Sequence, residues 1–91
     1  PVLLDELAEC VSGADELARR QDSAEITEAI NSFLATLNQV ERGVFMRRYW
    51  MMEPVADVAD RYNISVSKTT TMLFRLRGRL KKHFMKEGIS L

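Results

Sequence analysis

The chain has 91 residues with 13 Lys/Arg balanced by 13 Asp/Glu, is 46% hydrophobic, and holds one cysteine and one histidine. That length builds one small domain around a modest core, without room for a deep substrate cleft as well. A single Cys10 and a single His83 exclude an internal disulfide and a Cys/His metal set; no apolar run reaches the roughly 18 residues of a membrane span, and no secretory signal opens the chain.

The zero net charge hides a division. Residues 1–40 hold eight acids and two arginines, a net −6, whereas residues 41–91 hold eleven basic residues and five acids, a net +6. An acidic front and a basic back point to a polyanion partner for the back half. Charge alone equally allows a solvated basic helix face. The chain opens on Pro1 rather than methionine, which reads as a processed chain or a fragment of a longer one.

In chain order, the apolar spacing is helical throughout, and no period-2 alternation or Asn-Gly hairpin signal interrupts it. "PVLLDELAECVSG" places Leu3, Leu4, Leu7, Ala8 and Val11 on one stripe, with Gly13 as the stop. Cys10 reads as a small apolar residue on that helix. Residues 14–21 are polar and read as a linker or a frayed helical piece. Asp22 with Glu25 forms a capping box, after which Ile26, Ala29, Ile30, Phe33, Leu34 and Leu37 make a core-facing stripe. Asn38 with Glu41 starts a third helix, with Val40, Val44, Phe45 and Tyr49 buried and Arg42, Arg47 and Arg48 outward. Pro54 ends it and opens a short fourth helix at its first turn. Val55, Val58, Ala59 and Tyr62 form the apolar face of that helix, and Asn63 supplies the left-handed turn. Ser65 then caps a long helix. Its buried stripe is Thr69, Leu73, Leu76, Leu80 and Phe84, and Gly88 is its stop.

The expected fold is therefore all-α: a small helical domain of four to five helices with a C-terminal helix-turn-helix. Residues 1–21 read as a linker with an acidic N-terminal helix, and residues 22–91 as the DNA-binding domain. The three threonines divide. Thr69 faces the core, while Thr70, Thr71 and Phe74 lie away from it, and Ser67 and Lys68 sit at the exposed helix start. In a DNA-binding helix-turn-helix that end enters the major groove, where short hydroxyl side chains bond base edges or phosphates. Arg75, Arg79 and Lys82 share one side of the helix, Arg77 and Lys81 another, and both sides flank a groove. Lys86 and His83 are accounted for by the favourable placing of cations near a helix C-terminus.

"LNQVERGVFMRRYW…VADVADRYNISVSKTTTMLFRLRGRLKKHF" resembles the fourth conserved region of bacterial sigma-70-type RNA polymerase sigma factors, and looks most like the small extracytoplasmic-function or related group. The features are Leu37, Glu41-Arg42, Val44-Phe45, Arg48-Tyr49, Val58-Ala59, Ile64-Ser65-Val66 and the "FRLRGRL" tail, over about residues 30–85. The N-terminal "LLDELAEC" resembles the connector from a preceding sigma domain. The resemblance implies recognition of the promoter −35 element, contact with the β flap of core RNA polymerase, capture by an anti-sigma factor, and a cytoplasmic place of work. By position it makes Ser67, Lys68, Thr70, Thr71, Phe74 and Arg75 the DNA readers, and Arg77 and Arg79 backbone contacts. Thr70 and Met72 stand where many relatives carry basic residues, and Val55 replaces a common aromatic or polar residue; the first two lower the charge at the reading end.

Two other readings compete. One is a different helix-turn-helix regulator, such as a response-regulator DNA-binding domain; "RRYW" and the R-L-R-x-R-L tail favour the sigma reading. The other is a protein-interaction module, with acidic helices that dock a partner or cover the basic helix. No cofactor, metal or small-molecule substrate is expected, and no enzyme. Asp57 and Asp60 read as helix surface charge, and no glycine-rich phosphate loop occurs.

Overall fold

The computed structural model describes residues 4–7 and 23–87. They form five helical elements: α1 (Leu4–Leu7), α2 (Ser23–Leu34), α3 (Gln39–Tyr49), α4 (Val55–Arg61) and α5 (Val66–Lys86). There is no strand among the described residues, so this is a small all-α domain. The capping box of Asp22 and Glu25, the linker over 14–21, Cys10 and the stop at Gly88 lie outside the described residues and side chains.

Each helix start is fixed locally. Asn38 caps α3: its side chain accepts the Glu41 N–H at 2.8 Å, and the Glu41 carboxylate accepts the Asn38 N–H at 3.2 Å. Two orphan donors are thereby satisfied. Ser65 caps α5, its hydroxyl accepting the Lys68 N–H at 3.0 Å. Pro54 is the N-cap of α4 with ψ 148°, one position before the first-turn place expected of it. Its fixed φ serves the extended approach to the helix.

The long helix α5 is the spine. It packs against α4, α3 and α2, most extensively against α4. Thr69, Leu73, Leu76, Leu80 and Phe84 are all buried, as the 4-3-4-4 spacing requires. Leu73, Leu76, Leu80 and Phe84 share one core with Ala29, Phe33 and Leu37 of the α2 segment, Val44, Phe45 and Tyr49 of α3, Val58 of α4 and Leu7 of α1. Fully burying a Leu or Val side chain contributes about 1.5–3 kcal/mol, so this set of contacts is the main source of stability. Phe33 and Tyr49 both meet the Phe45 ring edge-on, at centroid distances of 5.6 and 4.8 Å. Such geometry places the positive ring edge against a negative face.

Gly43 gives room to a neighbour. A Cβ there would collide with the Tyr62 hydroxyl, so the Tyr62 side chain, at the end of α4, lies directly against the α3 backbone.

Three expectations for α3 are corrected. Val40 is not buried but 46% exposed: it shares the face of Val44 but lies one turn earlier, in the first turn of the helix. Arg48 does not face outward. It is half-buried and grips Glu6 of α1 with two nitrogens, at 2.8 and 3.3 Å, while a third donates to the Glu53 carbonyl at 2.9 Å. Arg47 is also half-buried, paired with the Glu53 carboxylate at 3.2 Å. Arg42 does remain exposed, and its guanidinium donates to the carbonyls of Leu34 and Leu37, both at 3.1 Å. It thus gives the Leu37 carbonyl a donor and adds a second one to the Leu34 carbonyl, which already accepts the Leu37 N–H at 3.1 Å.

Candidate nucleic-acid interface

The turn before α5 sets where that helix points. Asn63 takes φ 55°, in the left-handed region that Asn tolerates better than most residues. The Ile64 N–H reaches the Ala59 carbonyl at 3.1 Å, and the Asn63 N–H reaches Asp60 at 3.2 Å, closing the corner. Val58 and Ala59 are buried at that corner, where the small Ala59 lets the helices approach. The burial of Thr69 turns one side of the start of α5 inward and leaves its other side open.

Ser67, Lys68, Thr70, Thr71, Phe74 and Arg75 are all exposed on α5, whereas Thr69, between Lys68 and Thr70, is 0% exposed. The hydroxyls differ in what they offer. Thr69 donates to the Ser65 carbonyl at 2.9 Å, inside the protein. Thr70 donates to the Val66 carbonyl at 2.9 Å, so its proton is committed and its lone pairs face outward. Thr70 is therefore set to accept, as from the amino group of adenine or cytosine in a major groove. Thr71 makes no hydrogen bond among the described residues and can donate or accept. Phe74 is 67% exposed, the most open of the large apolar side chains described, with the Arg77 guanidinium 6.0 Å from its ring centre. That is the outer reach of a cation–π contact.

The helix carries seven Lys/Arg and no acid from Val66 to Lys86. Its arginines are not equivalent. Arg77 is half-buried, donating to the Tyr49 hydroxyl at 2.7 Å. Arg79 donates to Glu41 at 3.1 Å, tying α5 to the start of α3. The two residues named as backbone contacts thus hold the domain together through groups on α3. Arg75, Lys68, Lys81 and Lys82 form no ion pair among the described residues, and all are exposed. Burial pushes the Tyr49 hydroxyl up to about 12, against the opposing pull of the Arg77 charge, so it stays neutral and can accept from Arg77.

A second surface was not anticipated by the sequence pattern. Trp50, Met51 and Met52 follow α3 and are 54%, 56% and 46% exposed. Met52 takes φ 60°, a strained value for a residue with a side chain. The strain is held by Glu53, whose carboxylate meets Arg47 at 3.2 Å and Arg61 at 2.9 Å and whose carbonyl meets Arg48. Three arginines thus fix one glutamate and keep three large apolar side chains in water. The signal in the sequence was the run "YWMMEP" itself, too apolar for an ordinary connecting loop.

No His/Cys/Asp/Glu group among the described residues is arranged to hold a metal ion. No helix among them is long and apolar enough to cross a membrane. Neither a family model, nor a curated protein, nor a solved structure matches this chain.

Proposed function

We propose that α5 reads duplex DNA, and that the chain is the −35-recognition domain of a sigma-70-type RNA polymerase sigma factor, working in the cytoplasm. One observation carries this reading. The six residues expected to read DNA are all exposed at a firmly capped helix start, while Thr69, which lies between Lys68 and Thr70, is buried. A helix with seven cations and no acid adds the electrostatic attraction that phosphate requires. Lys68 and Arg75 supply affinity, while Thr70, Thr71 and Ser67 supply base contacts.

The test is selection from a randomised duplex pool at low and moderate salt, with sequencing of the bound DNA. An enriched motif that disappears in Thr70→Ala or Thr71→Ala supports the reading. Arg75→Ala and Lys68→Ala should weaken binding with helicity intact. Binding without enrichment by the parent chain counts against it.

The Trp50–Met51–Met52 surface favours a second role alongside the first, docking of a protein such as the β flap of core polymerase or an anti-sigma factor. Large apolar side chains grouped together in water are a mark of protein contact. Pull-down with the isolated flap domain, lost on Trp50→Ser, would support the polymerase contact.

A further inference from the structure

Gly78 lies in the middle of α5, where glycine weakens a helix relative to alanine because its backbone surrenders more freedom on folding. Close packing usually explains such a residue, as it does at Gly43. At Gly78 that explanation fails: a Cβ built there meets nothing within 4 Å. Nothing inside the described chain requires glycine at this position.

Its surroundings are specific. The residues one turn away on the same face, at i−4, i−3, i+3 and i+4, are Phe74, Arg75, Lys81 and Lys82. All four are exposed, and the three cations form no ion pair among the described residues. The helix surface therefore has a notch, with bare backbone at its centre, cations at three corners and an aromatic ring at the fourth. The notch points away from the buried stripe of Leu73, Leu76 and Leu80.

Its position along the helix matters as well. Gly78 comes eleven residues after Ser67, about 16 Å at 1.5 Å per residue. A major groove is about 12 Å wide. A helix whose first turns occupy the groove carries Gly78 past the base edges to the wall, where the sugar-phosphate strand runs.

We propose that this notch seats a phosphodiester segment of the duplex, with the strand against the bare backbone at Gly78 and held by Arg75, Lys81 and Lys82. The inference rests on the reading of α5 as the DNA-facing helix, and it relocates backbone anchoring. Arg77 and Arg79, engaged with Tyr49 and Glu41, give way to the cations that surround the glycine. A helix of a partner protein would also fit against a glycine. Three cations without ion-pair partners, on a helix lacking any acid, favour the polyanion.

The test uses Gly78→Ala and Gly78→Gln in the full chain. Melting is followed by far-UV circular dichroism. Affinity is measured by anisotropy on a labelled selected duplex and on a scrambled duplex, across a salt series. Both variants should melt higher than the parent. Affinity should fall by a similar factor on both duplexes, about threefold for alanine and about tenfold or more for glutamine, and the glutamine variant's salt slope should shrink by about one phosphate's worth. Parent-like binding by both variants would overturn the notch while leaving the DNA reading in place. A loss confined to the selected duplex would put Gly78 at base edges and overturn the backbone assignment. Lower melting would mean that the chain itself needs the glycine, with the same consequence. A parent chain that binds neither duplex would sink the DNA reading and the notch together.

Discussion

Thr69 offers a sharp test of how the threonine triplet divides. Its side chain is 0% exposed, its hydroxyl donates to the Ser65 carbonyl at 2.9 Å, and its own N–H reaches the same carbonyl at 3.0 Å. Thr69→Ser removes one buried methyl and keeps the hydroxyl. Deleting a methyl from a packed core costs about 0.5–1.5 kcal/mol. For a domain of this size, 1 kcal/mol lowers the melting temperature by about 4–8 °C. Thr69→Val does the opposite, trading the hydroxyl for a methyl. It forfeits a hydrogen bond with a net worth of about 1 kcal/mol, but it gains apolar burial of about 0.8 kcal/mol. The Ser65 carbonyl keeps its backbone donor, so nothing is left unsatisfied. The valine variant should therefore lie within about 0.5 kcal/mol of the parent, like an exposed Thr71→Ser control. Urea and thermal melts followed by circular dichroism measure all three. If valine costs about 2 kcal/mol or more, or serine costs nothing, Thr69 is not the methyl-bearing core residue argued here.

Other expectations follow from the groups that tie α1, α3 and α5 together. Tyr49→Phe should cost about 1.5–3 kcal/mol, because it removes the acceptor of a charged donor; urea midpoints read this directly, and no change would refute it. Tyr49 is raised to about 12 in the folded chain, against an ordinary value near 10. The unfolded chain therefore ionises first, and stability should be intact below the ordinary value and fall as pH rises toward the folded one. The phenylalanine variant should lack that alkaline loss. At the acid end, the hydrogen bond from Arg48 holds the Glu6 carboxyl below its ordinary value, outweighing the opposing effect of burial. Its contribution is full above the ordinary value and is lost as pH falls through the lowered one. Glu6→Gln should remove that acid-sensitive part, at a cost under about 1 kcal/mol because a third of the side chain is open to water; identical acid titrations of melting temperature would contradict this. Gly43→Ala should destabilise by about 1–3 kcal/mol through collision with Tyr62, although alanine is the better helix former, and a rise in stability would refute the close approach.

Much of the fold was legible because local chemistry and long-range packing agree. Asn38 and Ser65 are side-chain caps whose signatures lie within four residues of sequence. The stripe from Thr69 to Phe84 buries as its spacing demands, and Asn63 adopts the left-handed turn assigned to it. The arginines of α3 and α5 were harder to read. An arginine on a helix reads as solvent-facing, yet its long apolar stem allows a half-buried course with the charge on a distant partner. Arg48 finds Glu6, 42 positions away, and Arg77 finds Tyr49, 28 positions away. No spacing rule reports pairs so far apart. Val40 failed for the opposite reason: periodicity gives the face a residue shares but not where the neighbouring helix stops. For the candidate interface, the exposure of Ser67, Lys68, Thr70, Thr71, Phe74 and Arg75 was readable, because a single buried stripe defines its opposite face. The significance of Gly78 was not, since a glycine's meaning depends on whether its empty side is occupied.

The platform after α3 also decides how this protein can be watched. Trp50 is the chain's single tryptophan, and it is already half in water in the folded state. Its emission should change little when the core melts, so fluorescence would understate unfolding that circular dichroism detects. The same placement makes it a selective optical label. Occupation of the Trp50–Met51–Met52 surface by a protein should shift the emission to the blue. One native chromophore thus reports on that surface without chemical labelling.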